Sequence, residues 1–220
     1  AWKESLAKSE VLSDSVIQEE LSKINSSSLK IENDAGKYYA QRTGEAQIDL
    51  GAIAKGYALY LCQEYLEDDY FDDTVGDYII NAGSLSVLLG TNSKSEDNKY
   101  SVYISDLSER TYLRLKQVTI STSSISEQGR SIKGTMYSHI INPVTGSAIN
   151  TFDAVIVIND SEAYGNGALG DALSTSLMIS SLDLEEIAQT ENDLGVRIIA
   201  IKDDEIKYKS ESLEIYHEQE

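Results

Sequence analysis

The stretch IDLGAIAKGYA, residues 48–58, changes its period half-way along. Up to Asp49 it continues a series of short runs, LKIEN (29–33), KYYAQR (37–42) and AQIDL (46–50), which favour strand residues and are separated by the turn signals DAG and TGE. These predict a small meander that ends on a strand at Asp49. From Ala52 to about Leu66 the apolar residues Ile53, Tyr57, Leu61 and Tyr65 recur every fourth position, which predicts a helix burying that face. A chain that passes directly from strand to helix through small residues reads as α+β.

Outward from this junction the same alternation continues. Upstream, SDSVIQEELSKINSS (13–27) places Val16, Ile17, Leu21 and Ile24 at helical spacing behind three residues able to cap, Ser13, Asp14 and Ser15. Downstream, DYIINAGSLSVLLG (77–90) reads as strand, tight turn and strand. Further strands are expected in YSVYIS (100–105), TYLRLK (111–116), QVTIS (117–121) and AVIVI (154–158), and SHIINPVTG (138–146) carries a short apolar strand into a turn. GALGDALSTSLMI (167–179) and LDLEEIAQT (182–190) read as helices, and VRIIAIKDDEIKYK (196–209) as a hairpin. There is no repeat and no long linker, so residues 1–220 are expected to form one α+β unit with a mixed or antiparallel sheet. Fourteen Tyr against two Phe suit strands whose aromatic faces are partly wet.

A net charge of −19 repels phosphate backbones and argues against nucleic acid as a partner. An anionic small molecule would need a local cation on such a chain: a metal, a lysine or a helix N-terminus. Cys62 is the only cysteine, so no disulfide can form within the chain. No window approaches the roughly 18 uninterrupted apolar residues of a membrane span.

Three places could carry chemistry, and each has a plain structural alternative. At the junction, Asp49 either caps the helix or lines a site, and Gly51, Ala52 and Ala54 either pack tightly or let the backbone approach a ligand. Lys55 stands in the first helical turn, where its charge opposes the helix dipole. On the second helix, Asp171 and Thr175 are four residues apart and share a face, so their oxygens can converge on a hard cation such as Mg²⁺; alternatively the acid stabilises the first turn and the hydroxyl bonds back to a carbonyl. His139 is one of two histidines, the other being His217 in the charged tail. It precedes the turn Asn142-Pro143, and is either a packed imidazole or a general base on a rigid element.

In order along the chain, IDLGAIAKGYA (48–58), INAGSLS (80–86), STSS (121–124), HIINPVTG (139–146) and GDALSTSL (170–177) resemble five motifs of the ApbE-type FAD:protein FMN transferases. Five ordered matches over about 130 residues are more specific than any one of them. The resemblance implies the ApbE-like, T-fold-related architecture and a Mg²⁺-dependent transfer of FMN from FAD to a Ser or Thr hydroxyl of an acceptor flavoprotein, with release of AMP. Some relatives instead hydrolyse FAD, and a relative that only binds FAD is the alternative. Carried over residue by residue, the resemblance makes Asp171, Thr175 and the Ala52 carbonyl the metal ligands. It makes Lys55, Asn81, Gly83 and Thr122 cofactor contacts, and His139 and Asp49 catalytic. It also implies an extracytoplasmic, lipid-anchored full-length form whose anchor and N-terminal segment are not in these residues. Departures from the family pattern are Ser84 and Ser124 at glycine positions, and Leu85 and Asn142 at acidic ones.

Overall fold

In chain order the helices are α1 (Trp2–Ala7), α2 (Asp14–Leu21), α3 (Ala54–Glu64), α4 (Asn166–Ile179) and α5 (Leu184–Leu194). The strands are β1 (Leu29–Asp34), β2 (Lys37–Arg42), β3 (Ile79–Asn81), β4 (Ser86–Leu89), β5 (Tyr100–Tyr103), β6 (Thr111–Leu115), β7 (Val118–Ser124), β8 (Arg130–Ile132), β9 (Thr135–Tyr137), β10 (Ala154–Asp160), β11 (Arg197–Lys202), β12 (Glu205–Lys209) and β13 (Tyr216–His217). This structure, a computed structural model, describes residues 1–24, 26–45, 47–66, 76–83, 85–160, 166–180 and 183–218. The altered position Ser84 lies outside them. By its internal contacts the chain gathers into two compact units: residues 1–49 with 128–149, and residues 50–127 with 150–220.

The first unit holds α1, α2 and the antiparallel pairs β1–β2 and β8–β9. Ser13 is the N-cap residue of α2, but its hydroxyl makes no cap bond and instead meets the Ser15 hydroxyl at 3.0 Å. The meander is shorter than the sequence predicts. Residues 47–50 are not a strand, so Asp49 stands on exposed irregular backbone. Nor does His139 lie in the short strand expected there: it sits on a bend, half-buried, ahead of an isolated bridge between Ile141 and Ala148. The turn that follows does form as its residues dictate. The Asn142 Oδ1 accepts from the backbone N–H groups of Val144 (2.8 Å) and Thr145 (3.2 Å), and the Gly146 N–H donates to the Asn142 carbonyl at 2.8 Å. The Trp2 indole N–H closes on the Gly146 carbonyl at 2.6 Å.

The second unit is built on a six-stranded antiparallel sheet of order β12-β11-β10-β7-β4-β3. Because side chains alternate along a strand, β7 sends Val118, Ile120, Thr122 and Ser124 to one face and Thr119, Ser121 and Ser123 to the other. The first face joins Leu89, Ile156, Ile158, Ile199 and Ile201 in a core shared with Leu113 and Leu115 of the small sheet β13-β6-β5. The second face is more polar and carries α4. Ser124, at a position where the resemblance has glycine, lies in β7 opposite Ala154, on extended backbone that any residue adopts.

Helix α3 forms where the period predicts it but turns the other way. Ile53, Tyr57, Leu61 and Tyr65 are between 39% and 59% exposed, and the buried residues are Gly56, Leu59, Tyr60 and Gln63. The reason is the crossing with α4. A Cβ on Gly56 would stand 1.9 Å from the Gly167 carbonyl oxygen, and one on Gly167 would stand 2.2 Å from the Gly56 oxygen. The two helices therefore meet backbone to backbone, and the face that carries the glycine is the one that must go in. One turn later Gly170 lets α4 down onto the sheet, where a Cβ would come within 2.9 Å of the Ser121 hydroxyl oxygen.

Candidate active site

Helix α3 starts without help from its own N-cap residue: Ile53 offers no capping side chain. The first four N–H groups of a helix have no intrahelical acceptor, and that of Gly56, the third residue of α3, is taken by a residue 115 positions away. It donates to Asp171 Oδ2 at 2.6 Å. The helix crossing makes this possible, since Asp171 lies one turn along α4 from Gly167. A carboxylate at a helix N-terminus is also favoured by the positive end of the dipole. Asp171 is 6% exposed, and its other oxygen accepts from the Ser86 hydroxyl at 2.9 Å. Both of these bonds are buried.

An ionised carboxylate has about four lone-pair directions. The Gly56 N–H and the Ser86 O–H occupy one on each oxygen and, among the described residues, leave one on each. Ala52 is exposed in the turn before α3. One turn beyond Asp171, the Thr175 hydroxyl lies 3.0 Å from Ser123 Oγ, which lies 2.9 Å from Ser174 Oγ. The donor set is thus one carboxylate and neutral oxygens, which fits a hard cation such as Mg²⁺ that keeps several of its own waters. Among the described residues no group of three His, Cys, Asp or Glu side chains comes together, so a cation here would rest on this mixed set.

The remaining positions divide between the units. Lys55 is half-buried at the second residue of α3, beside Gly56. Asn81 ends β3, and its Oδ1 accepts from the Gly83 N–H at 2.9 Å; Gly83 has φ +93°, a conformation that side-chain-bearing residues avoid. The Thr122 N–H donates to the Leu85 carbonyl at 2.7 Å, while its side chain emerges on the sheet face opposite to Ser121 and Ser123. Asp49 and His139 belong to the first unit, and Ala52, Lys55, Asn81, Gly83, Thr122, Asp171 and Thr175 to the second. Ser86 and Gly56 are absent from the sequence-based set of site residues. The legible signal for Ser86 was a polar residue opening the apolar run SVLLG.

The model of the ApbE family matches residues 1–198. The chain belongs to the ApbE family. Among its curated relatives, the FAD:protein FMN transferase of Vibrio cholerae serotype O1 is 26% identical over 172 residues, 76% of this chain and 49% of that protein. The FAD:protein FMN transferase of Rhodobacter capsulatus is 31% identical over 163 residues, 72% of this chain and 28% of that protein. The present chain therefore spans half or less of the length of these two ApbE relatives. Among solved structures, the ApbE protein of Thermotoga maritima superposes with a TM-score of 0.73 at 22% identity, over 94% of this chain and 62% of that one. The flavinyl transferase ApbE of Pseudomonas stutzeri gives 0.65 at 21% identity, over 90% and 58%. These likenesses establish the ApbE fold, α+β with antiparallel sheets, as the sequence motifs lead one to expect.

Proposed function

We propose that this ApbE-family chain carries the catalytic fold of a cation-dependent FAD:protein FMN transferase, which moves FMN from FAD to a Ser or Thr hydroxyl of an acceptor protein and releases AMP. The observation that carries the reading is the Asp171 carboxylate, buried at the start of α3 and, among the described residues, with one lone-pair direction open on each oxygen. Two relatives named for this activity support it.

In the proposed reaction the acceptor hydroxyl oxygen attacks the phosphorus on the FMN side of the pyrophosphate. The bond from that phosphorus to the bridging oxygen breaks, and AMP leaves with the bridging oxygen and its electron pair. The hydroxyl proton passes to a base, for which His139 is the candidate, with Asp49 assigned to the same catalytic set. Lys55 supplies positive charge to the pyrophosphate, and Asn81, Gly83 and Thr122 are assigned to FAD. Asp171, Thr175 and the Ala52 carbonyl would hold Mg²⁺, which when bound offsets the charge that develops on the phosphoryl oxygens.

The test is incubation with FAD and Mg²⁺, with and without a Ser/Thr acceptor peptide, followed by mass spectrometry. AMP together with a peptide carrying FMN is the expected result. AMP and free FMN without an adduct would make the protein a hydrolase, and no AMP with tight FAD binding would make it a binding relative; either would overturn the transferase reading.

A further inference from the structure

We propose that Ser86 is a positioning residue whose hydroxyl fixes the Asp171 carboxylate in the orientation in which it ligates the cation; this rests on the reading of Asp171 as a cation ligand. Ser86 opens β4, and the strand continues as Val87, Leu88 and Leu89. It is fully buried, at 0% exposure. Leaving a buried hydroxyl unpaired costs about 1–3 kcal/mol, so a partner at such a place is worth having. That partner is Asp171 Oδ1, at 2.9 Å across a sequence separation of 85 residues.

The geometry shows what this bond adds. The Gly56 N–H anchors Oδ2 from the direction of α3, and a carboxylate held at one oxygen can still swing about that contact. The Ser86 hydroxyl anchors the other oxygen from the sheet, and the two together leave a single orientation. Because each partner donates to a different oxygen, one lone-pair direction stays open on each among the described residues. Ligand-orienting partners of this kind contribute roughly 10- to 100-fold to metal affinity.

A neighbour provides the control. Ser121 pairs with Ser86 in the β4–β7 register and is equally buried, yet among the described residues its hydroxyl oxygen has no hydrogen-bond partner. Removing either hydroxyl perturbs the same polar face under α4, but only one removal frees Asp171.

Mn²⁺ binding is measured by electron paramagnetic resonance titration of the full chain, without FAD, for the wild type, Ser86→Ala and Ser121→Ala. Urea midpoints are recorded for each. The expected result is that Ser86→Ala weakens Mn²⁺ binding about tenfold or more, while Ser121→Ala leaves it within about twofold. Unchanged affinity in Ser86→Ala, equal losses in both variants, or a wild type that binds no Mn²⁺ would each overturn the proposal. AMP release from FAD is followed separately. A wild type that binds Mn²⁺ but releases no AMP would refute the transferase reading and leave the assignment of Ser86 standing on the binding data.

Discussion

Replacing Gly56 by alanine tests the helix crossing on which the site depends, and the sign of the effect is informative. An interior helical glycine that merely adds flexibility would gain about 1 kcal/mol on becoming alanine. Here the new Cβ would lie 1.9 Å from the Gly167 oxygen, 2.3 Å from its carbonyl carbon and 3.0 Å from the Ala168 nitrogen. All three are backbone atoms, which cannot turn away. Restoring an ordinary contact of about 3.4 Å would move α3 and α4 apart by about 1.5 Å, and overpacking of this kind costs about 1–3 kcal/mol, occasionally more. The same displacement would pull the Gly56 N–H from Asp171, a hydrogen bond to a charged group worth about 1.5–3 kcal/mol. Against the propensity gain, a net loss of about 2–5 kcal/mol is expected. Urea unfolding followed by circular dichroism measures it. Gly167→Ala should behave alike, and because one displacement relieves both clashes the double variant should lose clearly less than the sum. A Gly56→Ala protein as stable as the wild type, or more stable, would refute the crossing.

Other substitutions separate the roles of the site residues. Asp171→Asn keeps an oxygen for the Gly56 N–H, so it should unfold close to the wild type while losing Mn²⁺ binding and at least about 100-fold in AMP release. Asp171→Ala leaves two buried donors unmatched and should lose about 2–4 kcal/mol in the same urea assay. His139→Ala should slow FMN transfer by about 10²-fold or more, with FAD affinity by fluorescence titration little changed; equal losses in both would remove it as the base. The Tyr208 phenol, which donates to the Glu191 carboxylate at 2.7 Å, is pushed up to about 12, first by burial and then by that bond and the carboxylate charge. Since the folded value lies above the unfolded value of about 10, its contribution to stability is complete below pH 10 and is lost as pH rises towards 12. The Tyr208→Phe protein should show a flatter decline over that interval.

The sequence made the hairpins legible because their signals are local. Asn81-Ala82-Gly83 between two apolar runs, and Asp203-Asp204 within VRIIAIKDDEIKYK, can hardly be anything but turns, and both pairs form antiparallel. Helix α4 was legible for a similar reason, a run of mostly small residues. The buried side of α3 was not. Hydrophobic periodicity assumes that the apolar stripe goes inward, and here the inward side is chosen by a glycine, which has no hydrophobicity to count. The strand expected at Asp49 failed differently. AQIDL has strand-like residues, but among the described residues 47–50 form no strand, and strand propensity is decided by tertiary context.

The same contrast separates the candidate site into a part that spacing revealed and a part that it concealed. Asp171 and Thr175 are visible because a helix repeats within four residues. Gly56 and Ser86 stand 115 and 85 positions from the carboxylate that they hold, and spacing does not connect them to it. Their two bonds nevertheless differ in what they depend on. The Gly56 bond exists only while α3 and α4 touch at Gly56 and Gly167, so a residue that separates the helices should lower stability and cation affinity together. The Ser86 bond comes from the sheet, and its loss should lower affinity with little change in stability beyond that of one hydrogen bond, about 1 kcal/mol. Plotting Mn²⁺ affinity against urea midpoint for Gly56→Ala, Gly167→Ala and Ser86→Ala therefore distinguishes the two anchors. The glycine variants should fall along a common slope, and Ser86→Ala well below it. If all three fell on one line, the carboxylate would be held by the overall packing of this unit, and no separate anchor from the sheet would be needed.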